Sequence, residues 1–227
     1  MEIIAHRGFR GRYPEMTAQA YEKACELPIH GVECDVRLTA DGHLACIHDR
    51  TLLRIASCGL VVSTATMDQL REHGIITLDE LIDILPEDKH LYIETKHPMR
   101  YGVMAEEQVA LRLRYRGLLH DPRFHLISFS HAAIRRMGRI APGFDTIYLR
   151  REWELRYNPK DFAISRPSAW GLSLAHAKMR PQLIGRDGKK TYMWTVNDAD
   201  DVRWARDNGV QLLATDYPDV ALEALAQ

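Results

Sequence analysis

Glu33 and Asp35 stand two residues apart in the stretch GVECDVRL, and Glu94 and Lys96 stand two apart in LYIETK. Side chains of an extended chain alternate between faces, so each pair shares one face of its strand. Val32, Cys34 and Val36 take the opposite face in the first case, and Leu91, Ile93 and Thr95 in the second. Carboxylates that point together into an interior need a counter-charge, and one divalent cation supplies it. Glu33, Asp35 and Glu94 form an all-oxygen ligand set, which suits Mg²⁺ or Ca²⁺ rather than Zn²⁺.

Two histidines stand within reach of that centre. His6 and Arg7 follow at once on the apolar run Glu2–Ala5, and His48 comes shortly after the turn signal Asp41-Gly42. A two-residue hairpin there pairs Ala40 with His43, Arg37 with Cys46 and Asp35 with His48, which sets His48 beside a metal ligand. Two histidines, Arg7, Lys96 and three carboxylates suit hydrolysis of a phosphodiester. The cations hold the phosphoryl oxygens, one histidine takes a proton from the attacking oxygen, and the other protonates the departing alkoxide. No serine or cysteine nucleophile is required.

The elements that must position these groups alternate in type. Glu2–Ala5, Gly31–Leu38, Leu91–Thr95, Phe124–Phe129, Thr146–Leu149, Trp170–Leu174, Tyr192–Val196 and Gln211–Ala214 have the pattern of strands. Helical periodicity marks Thr17–Leu27, Leu78–Leu85, Ala105–Tyr115, His131–Ile140 and Ala199–Asp207. Strands separated by helices form parallel βαβ units, and eight of them predict a closed TIM (β/α)8 barrel, whose functional groups sit where strands end. Helical patterning is poor in Arg150–Ser168 and Ala175–Lys190, so an open doubly wound sheet is the alternative. That fold usually brings G-x-G-x-x-G after its first strand, and none is present. The chain reads as a single domain over residues 1–227, with Thr51–Ile76 a short excursion without a core of its own.

Composition narrows the partners. The 227 residues carry 30 basic and 31 acidic side chains and are 46% hydrophobic, enough for one large core. Near-neutrality gives no electrostatic case for nucleic acid or an anionic membrane. No run approaches the roughly 20 apolar residues of a membrane span, and no secretion signal opens the chain, so a cytoplasmic address is expected. Cys25, Cys34, Cys46 and Cys58 lack C-x-x-C spacing and read as free, mostly buried thiols.

His6-Arg7, Glu33-Cys34-Asp35 and His48-Asp49, followed by TLDEL, IETK, SFS, MWTVN and ATDYPD in that order, resemble the glycerophosphodiester phosphodiesterase family over nearly the whole chain. The resemblance implies Glu33, Asp35 and Glu94 as metal ligands, His6 and His48 as the acid–base pair, and Arg7 and Lys96 on the phosphate. It also implies that Trp194 lines the pocket for the alcohol portion and that Asp216 of ATDYP is structural. The implied reaction releases sn-glycerol 3-phosphate and an alcohol from a small glycerophosphodiester. An enzyme of the same chemistry acting on lysophospholipids or phosphoinositides, or a non-catalytic phosphoester binder, are the alternatives. One departure stands out: the family usually has Pro-Glu-Asn-Thr where this chain has PEMT, and Met16 cannot reproduce an asparagine's hydrogen bonds. A rearranged loop or a more apolar pocket is the expectation.

Overall fold

The computed structural model describes residues 1–97, 104–152, 154 and 163–226. Its strands are β1 (Glu2–Ala5), β2 (Gly31–Leu38), β3 (Leu44–Cys46), β4 (His90–Thr95), β5 (Phe124–Ser128), β6 (Asp145–Leu149), β7 (Ala169–Ser173), β8 (Lys190–Trp194) and β9 (Leu212–Thr215). They form one sheet in the order β1-β9-β8-β7-β6-β5-β4-β2-β3, and pairing of β1 with β2 closes it. Every strand but β3 runs parallel to its neighbours, which makes an eight-stranded barrel of the TIM type. Part of the poorly patterned link between Arg150 and Ser168 lies outside the described residues. The other, Ala175–Lys190, holds most of the short helix Leu174–Met179 and two single 3₁₀ turns. None of the described helices is long and apolar enough to cross a membrane.

Alternation along the strands separates two apolar layers. Ile4, Tyr92, Ile127, Ile147, Leu149 and Tyr192 fill the inside of the barrel. Ile3, Ala5, Val32, Cys34, Leu91 and Ile93 point outward and pack beneath the helices. Several of the helices are started by a polar side chain at the end of the preceding loop. Thr77 caps Leu78–Ile84 and receives Glu80 in return, Ser130 caps His131–Ile140, and Asp198 caps Ala199–Asp207. A cap of this kind stabilises a helix by about 1 kcal/mol, small beside the burial of an apolar face but enough to fix where the helix begins.

The short β1 leaves the far edge of β2 uncovered beyond Val32, and β3 takes it over. Here the register differs from the expected one. Val36 lies opposite Cys46 and Arg37 opposite Ala45, so the pairing is shifted by one residue and the loop holds three residues, Ala40 to Gly42. A two-residue type I′ turn needs positive φ at both central positions, and only Gly42 has it, at 83°. Asp41 is engaged elsewhere: its carboxylate accepts from the Thr39 hydroxyl at 2.6 Å and from the Met67 N–H at 3.1 Å, at the start of the helix Met67–Arg71. The excursion differs too. Leu52, Val62, Ala65, Met67, Leu70 and Ile75 bury one another against Ala45 and Ile47, so Thr51–Ile76 does carry a small core of its own.

Candidate active site

The register of β2 with β4 sets Asp35 opposite Glu94, both on the inner face at the C-terminal mouth of the barrel. One oxygen from each of Glu33, Asp35 and Glu94 lies within 4.8 Å of the others, and all three residues are buried. Two cations sit against them. Arg7 Nε is 3.0 Å from Asp35, and Lys96 Nζ is 2.8 Å from Asp35 and 2.6 Å from Glu94. The Arg7 backbone N–H donates to Glu33 at 3.0 Å, which its left-handed φ of 58° permits. That conformation disfavours a side-chain-bearing residue by about 1–2 kcal/mol.

The charges divide unequally among the carboxylates. Burial pushes Glu94 up to about 7, against the pull of Lys96. Burial and then Asp35 hold Glu33 well above the ordinary range. Burial also acts on Asp35, but Lys96, Arg7 and His48 outweigh it and bring this carboxyl down to about 2. Without a further positive charge the three are therefore not all ionised together.

The histidines share one design. Nδ1 of His6 is 2.8 Å from Asp216 Oδ1, and Nδ1 of His48 is 2.6 Å from Asp49 Oδ1. Each ring is thus oriented through one nitrogen, and the other is left for chemistry; Nε2 of His6 lies 3.9 Å from Glu33. Burial lowers the pKa of both rings, for His6 against the opposing hydrogen bond it donates to Asp216 and for His48 against the field of Asp35. With the shifted register Ile47, not His48, donates to the Asp35 carbonyl, at 2.9 Å. His48 still reaches the cleft because β3 ends at Cys46 and the chain turns there; Arg37 Nε then holds the His48 carbonyl at 2.8 Å.

The family model described as Glycerophosphoryl diester phosphodiesterase family matches residues 6–220. The chain belongs to this family. It is 36% identical over 246 residues to "Probable glycerophosphodiester phosphodiesterase 1" of Mycobacterium tuberculosis, covering 95% of this chain and 89% of that one. With the glycerophosphodiester phosphodiesterase of Caldanaerobacter subterraneus subsp. tengcongensis the identity is 28%, over 97% and 96% of the two chains. Among solved structures, an Oleispira antarctica phosphodiesterase in complex with the product sn-glycerol-3-phosphate superposes with a TM-score of 0.87 at 22% identity, covering 100% of this chain and 97% of that one. Membership of the glycerophosphoryl diester phosphodiesterases makes the chain an enzyme, a phosphodiester hydrolase.

In this phosphodiesterase the carboxylates suit a divalent cation on their own terms. Neither buried oxygen of Asp35 has a well-aligned hydrogen bond, which leaves lone pairs for a hard ion among three oxygen donors. Beside them opens a cavity of about 630 Å³ whose walls include His48, Glu94, Lys96, Phe129, Arg150 and Trp194. Trp194, the end of β8, meets Phe129 edge-on at 5.4 Å between ring centres. Gly171 on the neighbouring strand makes room for it, since a Cβ there would lie 2.7 Å from the Trp194 ring. Met16 is 3% exposed, belongs to the layer outside the barrel and does not line the cavity. Its φ of 55° holds the loop so that its N–H bonds the Arg7 carbonyl at 3.0 Å.

Asp216, expected to be structural, sets its carboxylate against His6, Arg10 and Asn197. One lining residue is not singled out by the sequence. Arg150 lines the cavity as the first residue after β6; its position directly past a barrel strand was the available signal.

Proposed function

We propose that the chain hydrolyses glycerophosphodiesters to sn-glycerol 3-phosphate and an alcohol, using one divalent cation, Mg²⁺ or Ca²⁺, held by Glu33, Asp35 and Glu94. The observation that carries this reading is the convergence at one barrel mouth of three buried carboxylates, two buried cations and two histidines each oriented by its own carboxylate. When bound, such an ion supplies electrostatic stabilisation of the phosphoryl oxygens. The charges agree in sign: a divalent cation supplies the further positive charge that three buried carboxylates need in order to ionise together beside Arg7 and Lys96, and a phosphodiester monoanion is drawn to the resulting positive site.

The chain's own residues do the rest. Arg7 and Lys96 orient the phosphate through charge-assisted hydrogen bonds. Water attacks phosphorus as the bond to the alcohol oxygen breaks; one of His6 and His48 takes the water's proton through its outward nitrogen, and the other gives a proton to the leaving oxygen. Asp216 and Asp49 keep each ring in the tautomer this transfer needs. Trp194 and Phe129 receive the alcohol portion.

The deciding assay measures release of sn-glycerol 3-phosphate from glycerophosphocholine, glycerophosphoethanolamine, glycerophosphoglycerol and a lysophospholipid, with and without chelator. Turnover of the three water-soluble diesters that stops in chelator is the expected result. Turnover of the lysophospholipid alone would favour the lipid-cleaving reading, and binding without release a non-catalytic one. The alcohol is expected to be loosely read, because Phe129 and Trp194 do not make a full aromatic cage for a quaternary ammonium among the described residues of the cavity wall; dependence on one alcohol by several orders of magnitude contradicts this.

A further inference from the structure

The opposite mouth of the barrel holds a second cluster. His30 precedes β2, His90 opens β4 and His125 is the second residue of β5, and one ring nitrogen from each lies within 4.8 Å of the other two. The sheet brings them together, since β2, β4 and β5 are successive neighbours, Gly31 lies opposite His90, and Tyr92 lies opposite His125. Nδ1 of His90 and Nε2 of His125 face each other at 2.8 Å. Carboxylates stand behind two of the rings: Asp145 lies 2.5 Å from Nδ1 of His125, and Glu2 lies 3.3 Å from Nδ1 of His30. The cluster opens into a cavity of about 680 Å³, which gives an ion a way in.

Metal-binding histidines commonly bond a carboxylate through the second ring nitrogen, which fixes tautomer and orientation. We propose that His30, His90 and His125 bind one transition cation of the zinc type, with Asp145 orienting His125 and Glu2 orienting His30. Imidazole donors select Zn²⁺ and its neighbours over Mg²⁺ and Ca²⁺, so this centre and the carboxylate centre take different ions. Two imidazole nitrogens at about 2.0–2.1 Å from a tetrahedral ion are roughly 3.3 Å apart; His90 and His125 need to open by only about half an ångström. His30 and His90, stacked with ring centres 3.9 Å apart, are half-buried and line the same cavity. His90 and Glu94 are four residues apart on β4, about 13 Å along the strand, with Tyr92 between them facing the same interior. The bound ion would clamp three adjacent strands at the face of the barrel that serves stability rather than chemistry.

The test uses the full chain, freed of any affinity tag, stripped with chelator and returned to excess Mg²⁺ so that the carboxylate centre is saturated. Titration with Zn²⁺ by calorimetry, and with Co²⁺ by its visible ligand-field absorption, should show one equivalent bound and a raised Tm. His90→Gln and His125→Ala should each weaken binding by more than about 100-fold, and Asp145→Asn by about 10–100-fold, the usual effect of removing a carboxylate behind a ligating histidine. Glu94→Gln should keep the Zn²⁺ and Co²⁺ site, and His90→Gln should keep hydrolytic kcat. Circular dichroism establishes that each variant is folded, and His90→Gln, at the half-buried rim, serves if His125→Ala is not. Absence of binding to the wild-type chain, equal binding by the folded histidine variants, or loss of binding in folded Glu94→Gln each overturns the proposal.

Discussion

Asp216 Oδ1 lies 2.8 Å from Nδ1 of His6, so the residue after β9 orients the ring that follows β1, 210 positions earlier in the chain. The contact forms only when the two ends of the chain come together, because it rests on the parallel pairing of β1 with β9. Asp216 is a positioning residue in this arrangement. Asp216→Asn should lower kcat by about 10–100-fold, part of the 10²–10⁴ that an acid–base group contributes, with KM and the affinity for Mg²⁺ or Ca²⁺ little changed. Steady-state kinetics with a metal titration checks it, and a normal kcat would remove Asp216 from the mechanism.

Asp35 accepts the charge of both Arg7 and Lys96, and among the described carboxylates only Glu94, beside Lys96, comes as close to either cation. Asp35→Asn should therefore damage stability as well as activity. Breaking a buried pair by removing one member typically costs about 3–5 kcal/mol, so the metal-free variant should show a clearly lowered urea midpoint beside its loss of turnover. A fully stable Asp35→Asn would mean that the two cations are not supported by this carboxylate.

Removal of the divalent ion tests the same centre from the other side. Burial already holds Glu33 and Glu94 above the ordinary carboxylate range, and like charges at this separation resist joint ionisation. Chelation should abolish turnover, and added Mg²⁺ or Ca²⁺ should restore it and raise Tm. Full activity in excess chelator would falsify the metal centre.

Strand alternation made Glu33, Asp35 and Glu94 legible before any coordinates, because an inward carboxylate on a parallel barrel strand has few explanations other than a counter-ion. Order along the chain was enough for the barrel, since each strand needed only its period and the helix after it. Contacts that depend on exact register were not legible. A closed barrel places the last strand beside the first, but nothing near Asp216 signals that its carboxylate meets His6, and His30, His90 and His125 meet only through the register of three strands. The hairpin was misjudged for a local reason: Asp41-Gly42 matches a two-residue turn, but the hydrogen bond from Met67 gives the Asp41 carboxylate a different task. The excursion's core escaped notice because Leu52, Val62, Met67 and Ile75 are spaced too irregularly for either periodicity.

His48→Ala should lower kcat by about 10²–10⁴ while leaving metal binding measurable, and His6→Ala should behave alike. If both rings serve one concerted step, the double variant loses much less than the product of the single losses. Because Arg37 Nε holds the His48 carbonyl at 2.8 Å, Arg37→Ala should reduce kcat more modestly, by freeing the segment that carries the ring. Near-normal kcat in His48→Ala would transfer its role to another group.

His176 offers a test of stability apart from the site. It is fully buried, and neither ring nitrogen has a hydrogen-bond partner among the described residues. Burial, then Arg150 and Arg180, lower its pKa below the ordinary 6.5. The folded protein therefore keeps the ring neutral at pH values where the unfolded chain binds a proton. The unfolded state gains protons as pH falls below about 6.5, so stability falls with it, and the contribution of the neutral ring is complete only above that value. His176→Leu removes the titrating group together with a buried unsatisfied one, whose presence is worth about 1–3 kcal/mol against folding. Urea midpoints should be higher for the variant at pH 7.5 and higher by a wider margin at pH 5. Other histidines of lowered pKa, His6 and His48 among them, add to the acid sensitivity of both proteins, but the difference between wild type and variant isolates His176. Parallel loss of stability in the two proteins from pH 7.5 to 5 would show that His176 is protonated as readily in the folded chain as in the unfolded one.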